Sequence, residues 1–240
     1  MKNNVGKVVD AGLCMGCGIC QDACAKKCIK IHHGNDVNHP VIDDAKCNEC
    51  GQCLKVCAGQ GINIDAWSRE LFEDNAIGKD KYVGYYDKCF SGYSTDRDIR
   101  FHSASGGCLS QFLIYLLDKE LVDGAVVVGY EENHPMTPRT YIAHTKEEVL
   151  NGRSSKYCVT SYENILNQIK HENGKYVVAG LPCQIQSLRK YASTFKQVGE
   201  QIVGYFAIYC SSNRTMRSQD FLLNKYGVNR KNVAYFAYRD

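Results

Sequence analysis

Cysteine residues in two short runs are the part of this chain best suited to chemistry. Four cysteines in the first run follow the spacing C-x2-C-x2-C-x3-C, and the second run repeats that spacing 33 positions later. The two sets are Cys14, Cys17, Cys20 and Cys24, and Cys47, Cys50, Cys53 and Cys57. Ile29 and Ile31 recur at the same displacement as Ile62 and Ile64. A repeat in both the cysteines and the apolar residues that follow them predicts two copies of one structural unit.

This spacing is typical of thiolate ligands to cubane iron–sulfur clusters. Three thiolates two residues apart reach three corners of one cluster, and the fourth cysteine of each run ligates the other cluster. The spacing therefore predicts two [4Fe–4S] clusters with crossed ligands. Cluster one takes Cys14, Cys17, Cys20 and Cys57, and cluster two takes Cys47, Cys50, Cys53 and Cys24. The free energy of metal binding is then part of the free energy of folding.

Disulfides and zinc are the alternatives for these thiols. Eight disulfide-forming cysteines would suit a small secreted domain, but the N-terminal stretch MKNNVGKVVDAG lacks the apolar core of a signal peptide. Zinc sites use C-x2-C pairs over longer gaps, so a zinc-stapled interaction module is the weaker hypothesis. We interpret a ninth cysteine of this region, Cys28, as a small apolar residue near a cluster and not as a ligand.

The composition argues against several classes of function. The chain has 240 residues, of which 44% are hydrophobic, and this is enough for a small domain and one of ordinary size. Scattered cysteines without an export signal predict a reducing, cytoplasmic compartment. They are Cys89, Cys108, Cys158, Cys183 and Cys210. The apolar run 112–117 is too short to span a bilayer. The formal charge of +3 falls to about −1 once two cubanes are counted, and no basic cluster indicates nucleic-acid binding.

The residue pattern divides the chain into three segments. We predict a two-cluster domain over 1–65, a linker over 66–81 and an α/β domain over 82–240. The polar stretch 32–44, which holds three histidines, is predicted to be a solvated loop. Trp67 in the linker is expected to pack the two domains together.

Short β-rich runs alternate with helical patterns in the third segment, which predicts an α/β domain with right-handed parallel crossovers. The predicted strands are 125–130, 176–180, 202–209 and 233–238. The predicted helices are 161–172, which opens on Ser161 as an N-cap candidate, 183–191, 215–226, and a short helix after the capping-box pattern Thr145 to Glu148. The predicted fold class is an α+β ferredoxin-like 2×[4Fe–4S] domain followed by an α/β domain.

Two glycine-rich junctions carry the remaining chemistry, because ligands of open α/β sheets bind beyond the carboxyl ends of strands. The first, HSASGG at 102–107, precedes an apolar helix whose free N–H groups can bind an anion. In the second, AGLPCQ at 179–184, a strand ends at Gly180 and Cys183 falls in the first turn of the next helix. A helix cap and a buried small thiol explain these patterns equally well. We favour a packing role for Cys183 over a reactive thiol, and a loop hydrogen bond over proton donation for His102.

Taken together, these stretches resemble the beta subunit family of coenzyme F-420 hydrogenases and dehydrogenases. The matching stretches are STDRDIRFHSASGG (94–107), ELVDGAVVVGY (120–130), GRSSKY (152–157), AGLPCQIQSLRKY (179–191) and IYCSSNRT (208–215). The N-terminal segment resembles a bacterial-type two-cluster ferredoxin, with Ala25 and Ala58 where proline usually follows the fourth cysteine. In that family a ferredoxin-like segment commonly precedes a flavin-binding α/β domain, and its members continue beyond the length of this chain. The resemblance therefore implies an incomplete flavin domain.

The resemblance also implies FAD as a cofactor and a redox function. The residues that it implies at the flavin are Arg100, Ser105, Gly106, Gly107, Ser155, Lys156, Gly180, Pro182, Cys183 and Gln184. We expect an oxidoreductase that passes electrons between the clusters, FAD and a hydride-exchanging substrate, such as a deazaflavin-type coenzyme. The alternative, which the implied incomplete flavin domain favours, is an electron-transfer or adaptor subunit with no substrate of its own. The resemblance links such a subunit to polysaccharide biosynthesis. Either function implies a redox partner protein or other oxidoreductase subunits.

Overall fold

The two cysteine-rich repeats form the N-terminal part of the computed structural model, which describes residues 2–72 and 78–238. Predictions for 73–77, inside the expected linker, and for 239–240 lie outside the described residues. The elements of this part are α1 (Gly6–Asp10), α2 (Ile19–Asp22), β1 (Ile29–His33), β2 (Asn38–Ile42) and α3 (Gln52–Lys55).

The internal repeat is present in the backbone. Gly18 precedes α2 with a φ of 78°, and Gly51, 33 positions later, precedes α3 with a φ of 74°. Glycine adopts this left-handed conformation without the steric cost that a Cβ brings. The likeness ends after the cysteines, because Ile64 begins helix α4 (Ile64–Phe72) where the first copy has strand β1.

The predicted loop over 32–44 is wrong, since most of this stretch belongs to a β-hairpin. Strands β1 and β2 pair antiparallel with His32 opposite His39, and their ring centroids lie 5.1 Å apart. One face of the hairpin is buried at Ile29 and Pro40, while the other leaves Lys30 and His32 in water, so polar residues do not exclude a strand here. His32 and His33 are exposed, as expected.

A four-stranded sheet is the centre of the second part of the chain. The remaining elements, in order, are β3 (Gly78–Asp80), β4 (Gly84–Tyr86), α5 (Arg97–Phe101), α6 (Cys108–Asp118), β5 (Gly124–Glu131), β6 (His134–Ala143), α7 (Lys146–Asn151), α8 (Ile165–Glu172), β7 (Tyr176–Gly180), α9 (Pro182–Thr194), α10 (Lys196–Gln201), β8 (Ile202–Ala207) and α11 (Arg217–Lys225). The strand order is β6-β5-β7-β8, with β5, β7 and β8 parallel and β6 antiparallel to β5. The prediction of a mixed α/β fold is confirmed.

Three of the four predicted strands are present, but 233–238 is not a strand. Its aromatic side chains instead contact other aromatic rings. Phe236 lies edge-on to Tyr130, and Tyr238 lies edge-on to Tyr157. Strand β6 is missing from the prediction because Pro135 and Pro138 argue against a strand. A proline cannot donate to a ladder, but an edge strand such as β6 tolerates it.

Helices cover both faces of the sheet, as alternating side chains of the buried strands require. Val127 and Val177 face the side covered by α5, α6 and α7. Val126 and Val178 face the side covered by α8, α9 and α10. The cysteine-rich part packs on this second side, where Ile19, Ala23 and Val56 join the core around Tyr162 and Leu166.

Two further features of the chain bear on the predictions. Trp67 is partly buried on α4, and its role in packing the two parts together stays a prediction. None of the helices among the described residues is both long and apolar enough to cross a bilayer.

Candidate iron–sulfur and flavin site

The first group of predicted ligand thiols gathers around Cys20. Burial raises the pKa of Cys20 well above its usual value, and Cys17, Cys57 and Cys14 are near enough to raise it further. Burial also raises the pKa of Cys17 to about 12. Cys57 of the second run therefore lies with three cysteines of the first run.

The second group gathers around Cys53 and Cys24. Burial raises the pKa of Cys53, and Cys24 and Cys50 add to the rise. Cys28 is buried with its Sγ 3.3 Å from the Sγ of Cys24, and Cys47 is a further neighbour. Cys24 of the first run therefore lies with the second run, and Cys28 lies beside this group. Cys53 of the second run is also near enough to Cys20 to raise its pKa, so the two groups adjoin each other. The crossed ligand assignment stays a prediction.

The donor set of these groups fits cubane clusters. The backbone N–H of Val5 donates to the Sγ of Cys53 at 3.3 Å, and the side-chain amide of Asn4 donates to the Sγ of Cys47 at 3.6 Å. Hydrogen bonds to ligand sulfur tune cluster potentials. Over residues 2–72 and 78–238, no three His, Cys, Asp or Glu side chains converge as ligands of a single metal ion would. The cysteine loops thus supply thiols and N–H···S contacts suited to two [4Fe–4S] cores.

Helix α9 and Tyr162 hold the loops of the first thiol group. The backbone N–H of Tyr162 donates to the carbonyl of Cys17 at 2.8 Å. The N–H of Ala58 donates to the hydroxyl of Ser187 at 3.0 Å, and the ammonium of Lys190 donates to the carbonyl of Cys57 at 2.8 Å. The first group is therefore the one that faces the α/β part.

Asp22 anchors the cysteine-rich part to the start of α8. Its carboxylate accepts hydrogen bonds from the backbone N–H of Asn164 at 2.8 Å, the N–H of Leu166 at 2.9 Å and the side chain of Asn167 at 3.1 Å. Burial raises the pKa of Asp22 to about 6 against the effect of these donors, so the group remains ionised at pH 7. The carboxylate satisfies N–H groups that a helix leaves unpaired at its start. Ser161, the N-cap candidate of the sequence, does not cap this helix, which begins at Ile165.

The first predicted wall of the flavin site is the connection from α5 to α6. Gly107 precedes α6 with a φ of 76°, and Ser105 is exposed two residues earlier. A Cβ at Gly106 would lie 2.8 Å from the Cβ of Tyr93, and the guanidinium of Arg100 lies 3.8 Å from the centre of the Tyr93 ring. Beside it is an open cavity of ≈ 640 Å³, lined by Arg97, Asp98, Arg100, Phe101 and His102. The cations of this wall suit an anionic ligand.

The second predicted wall follows strand β7. Gln184 is buried, accepts the N–H of Leu181 at 2.8 Å and donates to the hydroxyl of Thr160 at 3.0 Å. A Cβ at Gly180 would lie 2.7 Å from the hydroxyl of Tyr162, so glycine permits this close approach. Pro182 begins α9, as predicted.

Cys183 follows Pro182 in the first turn of α9 and is partly buried. Burial raises the pKa of its thiol, partly opposed by the backbone N–H of Gln184. A raised pKa keeps the thiol protonated at neutral pH, which favours the packing role over a reactive thiolate.

The turn that holds Ser155 and Lys156 approaches the first wall. The ammonium of Lys156 donates to the carbonyls of Gly152 at 2.7 Å and Arg153 at 2.5 Å, and burial lowers its pKa to about 8. Arg153 forms an ion pair with Asp98 of α5 at 2.9 Å. Lys156 therefore holds the turn together, and Arg153 ties the turn to α5.

Both glycine-rich junctions lie at the same edge of the sheet. Helix α6 leads into β5 and α9 follows β7, so the starts of both helices lie at the carboxyl edge of the parallel strands. Phe112 of α6 stacks on Phe206 of β8, with ring centroids 6.4 Å apart. Unpaired N–H groups at helix starts bind anions such as phosphate, so this edge suits an anionic ligand.

Asp22 and Tyr162 position the cysteine-rich part against the α/β part, and the sequence reasoning missed both. Their contacts join segments more than 140 residues apart, and no local pattern signals such a partner.

Comparison with known proteins identifies the family of the α/β part and the domain type of the cysteine-rich part. Residues 89–167 match the family model "Coenzyme F420 hydrogenase/dehydrogenase, beta subunit N-term", and residues 173–240 match the corresponding C-terminus model. Residues 13–62 match the 4Fe-4S dicluster domain.

Individual relatives agree with these matches. The chain is 30% identical over 145 residues to the coenzyme F420 hydrogenase subunit beta of Methanosarcina barkeri, covering 58% of this chain and 50% of the relative. It is 26% identical over 247 residues to the coenzyme F420-dependent sulfite reductase of Methanocaldococcus jannaschii, covering 97% of this chain and 36% of the relative. A chain of the F420-reducing [NiFe] hydrogenase complex from Methanosarcina barkeri is similar in structure, with a TM-score of 0.58 and 25% identity, covering 66% of this chain and 56% of that chain. The chain thus spans about half the length of several relatives that it matches.

Proposed function

Since the chain belongs to the coenzyme F420 hydrogenase/dehydrogenase beta subunit family and carries a 4Fe-4S dicluster domain, we propose that it is an iron–sulfur flavoprotein oxidoreductase. Electrons pass between two [4Fe–4S] clusters and FAD, and then to or from a small molecule that exchanges hydride, such as a deazaflavin-type coenzyme. Bound clusters move single electrons, and bound FAD converts these to the two-electron unit that hydride exchange requires. Relatives named for coenzyme F420 support this class of substrate.

The proposed sites are those of the sequence prediction. The proposed cluster ligands are Cys14, Cys17, Cys20 and Cys57 for cluster one, and Cys47, Cys50, Cys53 and Cys24 for cluster two. The residues proposed to contact or position FAD are Arg100, Ser105, Gly106, Gly107, Ser155, Lys156, Gly180, Pro182, Cys183 and Gln184. Among these, Lys156 and Gln184 are positioning residues, because their polar atoms are committed to the turns that they hold.

The observation that best supports the proposal is that Tyr162 links the first thiol group to the end of β7. This side chain is fully buried, its backbone N–H donates to the carbonyl of Cys17, and its hydroxyl donates to the carbonyl of Ala179. Ala179 precedes Gly180, at the strand end where we expect the flavin. Electron transfer between the first cluster and the flavin needs a fixed separation between the two centres and no water between them. The buried, hydrogen-bonded side chain of Tyr162 supports both requirements.

A second candidate is an electron-transfer or adaptor subunit without a substrate of its own. The match to the sulfite reductase favours it, since nearly all of this chain corresponds to about a third of that relative. A unit of this kind can therefore serve as one electron-carrying part of a longer protein or complex.

Anaerobic purification followed by cofactor analysis tests the proposal. We expect a broad visible absorption band that bleaches with dithionite, about eight iron atoms per chain, and FAD released on denaturation. Gln184→Ala should lower the FAD content and leave the iron content unchanged, because Gln184 holds the loop after β7 and lies outside both thiol groups. Clusters without flavin would support the adaptor role. A colourless protein with stoichiometric zinc would refute both functions.

A further inference from the structure

A cationic depression lies at Cys50 of the second thiol group and extends to Lys190, which donates to the carbonyl of Cys57. Its volume is ≈ 400 Å³, it is open to solvent, and its lining includes Asn3, Lys7, Cys50, Lys55, Gln60 and Lys190. Three of the lining residues are lysines and none is acidic. We call this surface the lysine port.

The lysine port reaches the part of the thiol arrangement nearest to solvent. Cys50 of the second group is exposed, whereas Cys20 of the first group is buried. The first group is also covered by Tyr162 and α9. If cluster one faces the flavin, cluster two is the centre that an external protein can approach.

The three positive charges of the lysine port exceed the about two negative charges that a cubane with its four thiolates carries. Among the ion pairs of the described residues, none involves Lys7, Lys55 or Lys190. Lys190 is held in place by the carbonyls of Cys57 and Gly61, which leave its positive charge intact. By contrast, Lys46 lies outside the port and pairs with Asp43. The port therefore presents a patch of positive charge around an exposed cluster cysteine.

We propose that the lysine port docks an acidic one-electron carrier protein, which exchanges electrons with cluster two. This inference rests on the proposed function, since it requires a cluster at the second thiol group. The reduced carrier loses one electron and cluster two gains it, so no bond forms or breaks and no proton is needed. Electrons then continue through cluster one toward the flavin.

The composition of the port favours a protein over a small anion. Its lining combines three lysines with the apolar side chain of Leu54 and with Cys50, a proposed cluster ligand. Lysines at a surface act as point charges that steer an oppositely charged protein over a distance. A carrier with a negative surface around its own redox centre is complementary to this arrangement.

Anaerobic stopped-flow reduction of the full chain tests the port. The reductants are a reduced acidic [2Fe–2S] ferredoxin and reduced methyl viologen, which is a small cation. The test variant is Lys7→Gln with Lys55→Gln, and the matched control is Lys170→Gln with Lys225→Gln, which removes the same charge on α8 and α11. We expect the test variant to lower the second-order rate constant with ferredoxin by roughly tenfold at low salt, and by much less at high salt. Its rate with methyl viologen should be unchanged or higher.

Several results would refute docking of the carrier protein at the lysine port. These are an equal loss of rate in the control variant, a loss that does not depend on salt, and an equal loss with methyl viologen. Competition by inorganic phosphate at constant ionic strength, of the same size as the loss in the test variant, would instead mark a small-anion site. The proposed function fails separately: without clusters no cluster absorption band bleaches with either reductant, whereas a wrong port leaves the bleaching by methyl viologen intact.

Discussion

Gly18 and Gly51 occupy equivalent positions of the repeat and allow a matched test of how the cysteine-rich part is held. Their φ values of 78° and 74° are nearly equal, so alanine at either position costs about 1 kcal/mol in backbone strain. A Cβ at Gly51 would meet the side-chain amide of Asn3 at 2.8 Å, and this exposed side chain can move. A Cβ at Gly18 would overlap the hydroxyl of Ser161 and lie 3.0 Å from the backbone N of Glu163.

The expected losses differ because only Gly18 faces the α/β part. Displacing the Ser161 hydroxyl breaks its hydrogen bond from the N–H of Glu163, at 3.2 Å, which contributes about 1 kcal/mol. Overpacking against the backbone adds about 1–2 kcal/mol. We therefore expect Gly18→Ala to lower the free energy of unfolding by about 3–4 kcal/mol and Gly51→Ala by about 1 kcal/mol.

Guanidinium unfolding under anaerobic conditions measures both losses, with far-UV circular dichroism and cluster absorbance as probes. Ser161→Ala alone should cost about 1 kcal/mol, but added to Gly18→Ala it should cost almost nothing further, because the first substitution has already displaced the hydroxyl. Equal losses in the two glycine variants, or strict additivity with Ser161→Ala, would refute the packing that we describe at this interface.

Three further changes test other parts of the structure. Cys24→Ala and Cys57→Ala should each reduce the iron content to about four atoms per chain, while Cys28→Ala should leave about eight; equal iron in all three would contradict the ligand assignment. Asp22→Ala should lower the free energy of unfolding by about 3–5 kcal/mol, because it leaves buried N–H groups at the start of α8 unpaired. Asp22→Asn should lower it by less. A loss below about 1 kcal/mol in denaturant unfolding would show that Asp22 is not an anchor. Burial lowers the pKa of Lys156 to about 8, below about 10.4 in the unfolded chain, so the unfolded state binds more protons between these values. From pH 8 to pH 10 the wild type should therefore gain about 1–3 kcal/mol relative to Lys156→Met, and parallel denaturation curves at the two pH values would contradict this.

Local sequence patterns predicted the parts of the fold that depend on interactions between neighbouring residues. Thr145 and Glu148 form the capping box that their spacing indicates, and Pro182 begins α9 because its ring is suited to the first helical position. Strand 176–180 has the predicted bounds, since a fully buried strand needs an unbroken apolar run. For the same reason the cysteine spacing was informative, because three of the four proposed ligands of each cluster come from neighbouring positions of one loop.

These patterns did not predict elements that depend on pairing or packing with residues far away in the sequence. Strand β6 forms because β5 offers a free edge, and 233–238 fails to form a strand although its own residues favour one. Propensity is a weak term beside the pairing and burial that a neighbouring element provides.

The sequence by itself determined the chemistry of this protein: two quartets of thiols at cubane spacing, ahead of two glycine-rich junctions. Only the tertiary structure decided how they are joined. It set Tyr162 between the first thiol group and the end of β7, Asp22 at the start of α8, and three lysines around Cys50. The reason is physical: the type and spacing of ligands depend on a few adjacent residues. The position of the thiol groups relative to the glycine-rich junctions depends on which surfaces are buried against each other. Burial on that scale follows from the packing of the whole chain.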